Sequence, residues 1–326
     1  MNKRLLLKAF LLFVISGLFA AFSFLWLNSR QPASRLGQLV FANAINYEKS
    51  VDKITISTTK ETFDLVLANN YWRVNGAEGY YAGLMLVNDL LSAMMQSVYY
   101  SKQPASPELL KQYGLELKSA GDKTTNIASV KIYSQNVLLN EINLGLRSEN
   151  GLYTYAHIPG SNEIWLISGS FTLPQYRYSW YQQPLFSYPE SAVKTVASLK
   201  NGNKSLLMRL NNKQDFVDKD LKNVSIPAFF DELKYVIFED VKPVKDFDFS
   251  QYPQSRKIRL GTFSGLTNEL MIYTNGQKYW LTTKLSAANL TTGKFKDYIA
   301  SYELLTAGWI FELPSAGGEI LYTTEF

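Results

Sequence analysis

The chain contains few residues of the types that carry acid–base or nucleophilic chemistry. His157 is the only histidine, and there is no cysteine. The lack of cysteine excludes disulfides, thiolate nucleophiles, iron–sulfur clusters and cysteine-ligated zinc. His157 could act as a general base or a metal ligand, but it follows Tyr153 and Tyr155 in strand-like alternation and precedes the turn residues Pro159 and Gly160. We therefore expect it to lie on a sheet face near a turn.

Acidic side chains are the next group that could bind a metal or transfer protons. They lie at Asp231-Glu232, Glu239-Asp240, Asp246 and Asp248. Their spacing lacks the Asp-x-Asp-x-Asp-Gly loop of calcium sites, and interleaved lysines favour a solvated helix face with local ion pairs. The segment Gly202-Asn203-Lys204-Ser205 lacks the leading glycine of a phosphate loop. We predict no catalytic residue, no cofactor and no metal site, and hence a protein that is not an enzyme.

Aromatic residues are the one unusual chemical feature, at 14% of the chain. A dense group near the middle forms our candidate interaction surface: Trp165, Tyr176, Tyr178, Trp180, Tyr181, Phe186 and Tyr188. Such rings can stack on sugars or dock a partner chain, because they combine rigid contact area with a polar tip. Their position between two repeated halves favours a second interpretation, in which they pack two domains against each other.

The elements around these rings form a pattern that occurs twice. The predicted strand pairs are 51–57 with 63–70, followed by 72–74, and 192–198 with 206–212. The displacement is 141 residues from Lys53 to Lys194 and 143 residues from Leu67 to Leu210. Alternating apolar residues on either side of a polar turn are typical of hairpins, and a steady displacement is the signature of an internal repeat.

Each copy continues with an amphipathic helix that we expect to cover its sheet. In the first copy the apolar stripe is Leu84, Val87, Leu91, Met94 or Met95, and Val98. In the second copy it is Phe229, Leu233, Val236, Ile237 and Val241. Ser225 is the predicted N-cap of the second helix, with Pro227 in its first turn.

The later elements repeat as well. Gln112-Tyr113-Gly114 has its counterpart in Gln251-Tyr252-Pro253, and in the first copy Ser106 is predicted to begin a short helix that Gly114 ends. Predicted strands at 130–133 and 141–146 match 257–260 and 269–273, with hairpin turns at Asn150-Gly151 and Asn275-Gly276.

These patterns predict an α+β fold. We expect an N-terminal transmembrane helix followed by two similar modules of mostly antiparallel sheet covered by helices, at 51–189 and 190–326. Duplication of one unit explains the steady displacement. The alternative is a chance agreement between two generic strand–helix–strand patterns.

The N-terminus has the pattern of a signal anchor. Residues 9–27 are uncharged and follow Lys3, Arg4 and Lys8. As a helix they would span roughly 28 Å, about the thickness of a bilayer core. The positive-inside tendency predicts a cytoplasmic segment 1–8, an exported remainder and a juxtamembrane linker at 28–50. The alternative is a signal peptide cleaved near Ala21-Phe22-Ser23.

The charge balance separates the anchor from the rest of the chain. Of 33 basic residues, five lie in the first 35 positions, which contain none of the 28 acidic residues. The remainder is therefore formally neutral. A nucleic-acid surface needs concentrated positive charge, so we expect no nucleic-acid partner.

Several short motifs together resemble the membrane-anchored domain-of-unknown-function family 4340 of bacteria. They are the strand 51–57, Trp72-Arg73-Val74, Gln112-Tyr113-Gly114-Leu115, Leu144-Gly145, the strand with Tyr153 and Tyr155, and Ile164-Trp165-Leu166. The resemblance covers most of the first copy and extends loosely into the second. It implies an accessory role beside ABC transporter components of the gliding-motility type, and it supplies no catalytic residues.

We therefore expect a non-enzymatic envelope protein that binds other proteins. It would be held in the bilayer of the bacterial inner membrane by residues 9–27, with its modules in the periplasm, and ABC transporter subunits would be candidate partners. The alternative is a module that binds a glycan or a lipid-linked ligand through the aromatic group.

Overall fold

The computed structural model describes residues 35–42, 51–76, 78–116, 128–169, 171, 173–287 and 295–326. The predicted cytoplasmic segment 1–8, the predicted anchor 9–27 and most of the predicted linker 28–50 lie outside these ranges. Within them, no helix combines the length and the apolar character that a bilayer crossing requires.

The first half of the described chain forms one antiparallel sheet of eight strands. The strands are β1 (Lys53–Thr58), β2 (Thr62–Ala68), β3 (Tyr71–Val74), β4 (Tyr99–Pro104), β5 (Ala128–Ser134), β6 (Val137–Arg147), β7 (Tyr153–His157) and β8 (Glu163–Ser168). Two helices accompany them, α1 (Leu84–Gln96) and α2 (Pro107–Gln112). The spatial order is β3-β2-β1-β5-β6-β7-β8-β4.

The second half forms an antiparallel sheet of nine strands. The strands are β9 (Val193–Lys200), β10 (Asn203–Met208), β11 (Phe216–Val217), β12 (Asn223–Val224), β13 (Asp240–Pro243), β14 (Gln254–Thr262), β15 (Leu266–Thr274), β16 (Tyr279–Ala287) and β17 (Trp309–Leu313). The helices are α3 (Pro227–Lys234), α4 (Lys296–Thr306) and α5 (Ser315–Thr323). The spatial order is β12-β11-β10-β9-β14-β15-β16-β17-β13. Two large, mostly antiparallel sheets with few helices agree with the predicted α+β class.

The two sheets share one strand order. If β9 is matched to β1, β10 to β2, β11 to β3, β13 to β4 and β14–β17 to β5–β8, the sequence of strands across both sheets is the same, and β12 is an addition at one edge. Most strands bury every second residue, as the alternating sequence predicts. The buried side chains of both sheets belong to one continuous core.

Matching the buried rows corrects the register inferred from sequence. Leu65 and Ile132 flank Ile54 in the first sheet, and Leu207 and Leu260 flank Val196 in the second. The displacement is therefore 142 residues for β1 and β2. The predicted correspondence of Lys53 with Lys194 is one residue out of phase, and a shift of one residue moves a side chain to the other face of a sheet.

The helices differ from the prediction in length and phase. In α1 the buried residues are Val87, Leu90 and Met94, while Leu84 is 58% exposed. The second predicted stripe is split, because α3 ends at Lys234. Beyond it, Val236 pairs with Phe186 as an isolated bridge, and Val241 lies in β13. The run from Tyr235 to Phe238 is β-branched and aromatic, and such residues favour extended structure. The N-cap of α3 is Ile226 rather than Ser225, although Pro227 does lie in the first turn.

The turn after α2 joins two of the motifs that suggested the family. Ser106 caps α2, accepting a hydrogen bond from the Leu109 amide at 3.3 Å. The Tyr113 ring stacks on Tyr155 of β7 with centroids 3.8 Å apart. The Tyr113 carbonyl accepts a hydrogen bond from the Leu146 amide at 2.9 Å. A Cβ at Gly145 would lie 2.1 Å from the same carbonyl oxygen. The two segments therefore touch main chain to main chain, which requires glycine at 145.

The second sheet carries a related contact at the matching place. Tyr252, the counterpart of Tyr113 in the repeat, lies edge-on to Trp280 of β16 with centroids 6.2 Å apart. Phe247 contacts both rings, with its centroid 5.1 Å from each. In both sheets, therefore, a tyrosine that precedes β5 or its counterpart β14 contacts an aromatic ring on β7 or its counterpart β16.

Candidate interaction site

The seven aromatic residues singled out from the sequence divide into a buried set and an accessible pair. Five are at most 6% exposed: Trp165, Trp180, Tyr181, Phe186 and Tyr188. Tyr176 is 40% exposed, and its ring stacks on that of Tyr178 with centroids 5.2 Å apart. A ligand arriving from solvent therefore meets Tyr176 and Tyr178, and the other five rings contribute to packing.

The packing centres on Tyr80, in the loop between β3 and α1. Its ring makes edge-on contacts, with centroids 5.3 to 5.8 Å apart, to five other rings: Tyr81, Tyr181, Phe238, Trp309 and Phe311. The last two lie on β17 of the second sheet, so the cluster bridges the two sheets. We call this cluster the aromatic seam. Edge-to-face pairs of this kind contribute about 0.5–1.5 kcal/mol each beyond their buried area.

Burial also affects the tyrosine hydroxyls of the seam. Burial raises the pKa of Tyr80 far above its ordinary value and raises the pKa of Tyr181 to about 12. Among the described residues the Tyr80 hydroxyl has no hydrogen-bond partner. Both side chains are neutral at physiological pH, and Tyr80 acts as an apolar packing group. Sequence analysis missed Tyr80, because its partners come from distant parts of the chain.

Hydrogen bonds link the connecting segment, which lies between β8 and β9, to both halves of the chain. The Gln182 amide donates to the Tyr81 carbonyl at 2.9 Å, on the side of the first sheet. On the side of the second sheet, the Leu185 amide donates to the Val236 carbonyl at 2.8 Å. The Gln183 side chain also donates to the Phe238 carbonyl at 3.0 Å. Thus the connecting segment itself forms part of the interface between the sheets.

A shallow cavity opens beside the aromatic seam. It has a volume of about 290 Å³, and its lining includes Tyr80, Tyr181, Arg177, Asp240 and Trp309. The Arg177 guanidinium lies 3.5 Å from the Asp240 carboxylate and 4.0 Å from that of Glu61. The Arg177 side chain is 39% exposed, so each ion pair stabilises the fold by no more than about 1 kcal/mol.

Two other residues considered for chemistry, His157 and Asp248, have local structural partners. The His157 Nε2 lies 2.9 Å from the carbonyl oxygen of Ser161 in the next turn, on the sheet face near a turn that the sequence predicted. Asp248 accepts hydrogen bonds from the Ser250 amide and hydroxyl, and these bonds lower its pKa. In the part of the chain that the structure describes, no three histidine, aspartate or glutamate residues are grouped to hold a metal ion.

The fold and the site together define a class: an α+β protein of two antiparallel sheets joined by an aromatic seam. A family model described as a domain of unknown function, DUF4340, matches residues 72–246, which is more than half of the chain. The chain belongs to this family, as the sequence resemblance predicted. The match runs from β3 to the segment after β13 and so crosses the seam. Searches of curated proteins and of solved structures found no match.

Proposed function

We propose that the chain is a non-enzymatic envelope protein, anchored by residues 9–27 in the bacterial inner membrane, whose two periplasmic modules bind other proteins. The modules, 51–189 and 190–326, arose by duplication of one α+β unit. Two observations support the duplication: the common strand order, and the constant displacement of 142 residues between the buried rows of the hairpins β1–β2 and β9–β10.

The observation that carries the protein-binding role is the burial of the aromatic group. Five of its seven rings pack inside the body, where Trp180 is fully buried. Rings that stack on a sugar must present a face to solvent, so this burial favours sheet packing over ligand capture. The surfaces that remain for recognition are the outward faces of the sheets, which suit protein partners. ABC transporter subunits are the first candidates, because the family resemblance implies that association.

The alternative function, binding of a glycan or a lipid-linked ligand, now rests on the stacked and accessible pair of Tyr176 and Tyr178. Neither residue belongs to the aromatic seam, although Tyr178 is partly buried against the core. We therefore expect replacement of both with alanine to disturb packing less than replacement of Trp180, which would open a cavity in the core. A change in tryptophan fluorescence with cell-wall sugars that disappears in the variant Tyr176→Ala/Tyr178→Ala would favour this alternative.

The direct experiment is purification of the full tagged chain from membranes in mild detergent, followed by mass spectrometry of the proteins that co-elute. We expect the subunits of a membrane transport complex in constant ratio to the chain. A matched preparation lacking residues 9–27 should lose membrane association. Elution of the full chain alone, together with the sugar response described above, would contradict the proposal.

A further inference from the structure

The second sheet carries a groove on its outward face. It has a volume of about 720 Å³, and its lining includes Leu199, Leu206, Lys204, Lys257 and Arg259. The side chains of Leu199 and Leu206 are 39% and 43% exposed. Aliphatic side chains exposed close together on neighbouring strands indicate a surface that another molecule covers.

Cross-strand pairing sets these residues in two parallel rows. In one row, Leu199 of β9 lies between Lys204 of β10 and Lys257 of β14. In the next row, Ala197 lies between Leu206 and Arg259. Cations thus lie on both sides of the aliphatic residue in the first row and at one end of the second row. Directly paired residues on one face lie about 4.5–5.5 Å apart, so the rows form one continuous surface.

The first sheet provides an internal comparison for the same positions. Shifted by 142 residues, Leu199 corresponds to Ser57, and Leu206 to Asp64. These positions are polar and satisfied locally, since Thr62 donates to Ser57 at 3.0 Å and Thr55 donates to Asp64 at 2.6 Å. The aliphatic floor is therefore not required by the strand order that the two sheets share.

The charges of the groove specify an anionic occupant. Its lining contains four cationic side chains, those of Lys204, Lys219, Lys257 and Arg259, and one carboxylate, that of Asp218. Glu269 pairs with two of the four, at 2.6 Å from Lys257 and 3.0 Å from Arg259. Even with Glu269 included, positive charge remains in excess. Complementary charge steers a partner toward such a surface and fixes its orientation.

We propose that this groove binds a segment of a partner protein that carries acidic side chains next to aliphatic ones. The acidic groups meet the lysines and Arg259 at the rim, and the aliphatic groups cover Leu199 and Leu206 on the floor. A concave surface accepts a chain segment more readily than it accepts the flat plane of a lipid surface. This inference rests on the proposed protein-binding function and assigns that function a place and a ligand chemistry.

The test uses the full chain held in nanodiscs of phosphatidylcholine and a fluorescent peptide built of the repeat Glu-Ser-Leu. Two matched peptides serve as controls: the repeat Lys-Ser-Leu reverses the charge, and the repeat Glu-Ser-Ser removes the aliphatic component. We expect only the first peptide to bind, with affinity falling as salt is raised. The variant Leu199→Ser/Leu206→Thr should weaken binding by about tenfold or more, since well-packed central contacts dominate interface energies.

The control variant is Val137→Ser/Leu138→Ser, which removes two exposed aliphatic side chains from β6 of the first sheet. It should bind the peptide as the natural chain does. Equal binding of the basic peptide, an unchanged affinity in Leu199→Ser/Leu206→Thr, or no binding of any peptide would overturn the inference. Binding to phosphatidylglycerol vesicles that the same variant abolishes, with no peptide binding, would instead identify a lipid occupant.

The failure of this inference can be distinguished from failure of the proposed function. If proteins still co-purify with the full chain after Leu199→Ser/Leu206→Thr, the protein-binding role stands and the groove is not its site. If no protein co-purifies with either form, the protein-binding role itself fails.

Discussion

Arg256 is a buried guanidinium whose partners are main-chain carbonyls and a serine hydroxyl. It is 2% exposed. Its Nε donates to the Ser198 hydroxyl at 2.9 Å, and its Nη1 donates to the carbonyls of Leu321 and Tyr322 at 3.0 Å each. Those carbonyls lie in the last turn of α5, where the helix macrodipole favours a cation. Burial lowers the pKa of Arg256 to about 10, so it remains charged at physiological pH.

We predict that Arg256→Ala lowers the free energy of unfolding by about 3 kcal/mol, because it removes charged hydrogen bonds and leaves buried carbonyls without a partner. Arg259→Ala is the matched control on the same strand: its side chain is 58% exposed, and we expect a change within about 0.5 kcal/mol. Urea unfolding followed by circular dichroism measures both. Equal effects of the two substitutions would show that Arg256 does not hold α5 in place.

At the scale of elements, the contact between the turn after α2 and β6 explains why two short motifs distant in sequence occur together. Gly145 lies against the Tyr113 carbonyl, and the Tyr113 ring covers Tyr155. Because a Cβ at position 145 would meet a main-chain oxygen at 2.1 Å, relief requires one backbone to move. The stacked rings would separate with it.

We predict that Gly145→Ala destabilises the fold by about 3 kcal/mol through this steric clash. Gly151→Ala is a matched control in the neighbouring hairpin: its Cβ would meet no atom within 4 Å, and only its φ of 71° is unfavourable, costing about 1 kcal/mol. Thermal unfolding of the two variants gives the comparison. An equal cost for both would show that the turn after α2 adapts freely.

The sequence predicted the elements that depend on local patterns. The strands alternate as expected, and the predicted hairpin turns at Asn150-Gly151 and Asn275-Gly276 have glycine at positive φ. The second helix was predicted too long, because a 3.6-residue stripe and a buried extended segment both place apolar residues close together. The Tyr80 cluster was missed, since its contacts join residues more than 100 positions apart, such as Tyr80 with Phe238. Predicting the exposed rows of the groove requires the register of the strands. The register inferred from the sequence was one residue out of phase.

At the scale of the whole molecule, we propose that the aromatic seam serves packing and that the outward groove serves recognition. Five of the seven rings that looked available for a ligand are buried, and one of them, Tyr181, belongs to the seam that joins the two sheets. The outward face of the second sheet combines aliphatic and cationic rows at positions where the first sheet is polar. We therefore place partner binding on that face rather than at the junction.

A photo-reactive amino acid at Leu206, compared with one at Tyr176, tests this account most directly. The side chains of Leu206 and Tyr176 are 43% and 40% exposed, so the two probes are equally accessible to a partner. After irradiation of living cells, we predict protein adducts from position 206 that map to an acidic segment of the partner, and none from position 176. Adducts with a glycan or lipid at position 176, with none at position 206, would contradict the account.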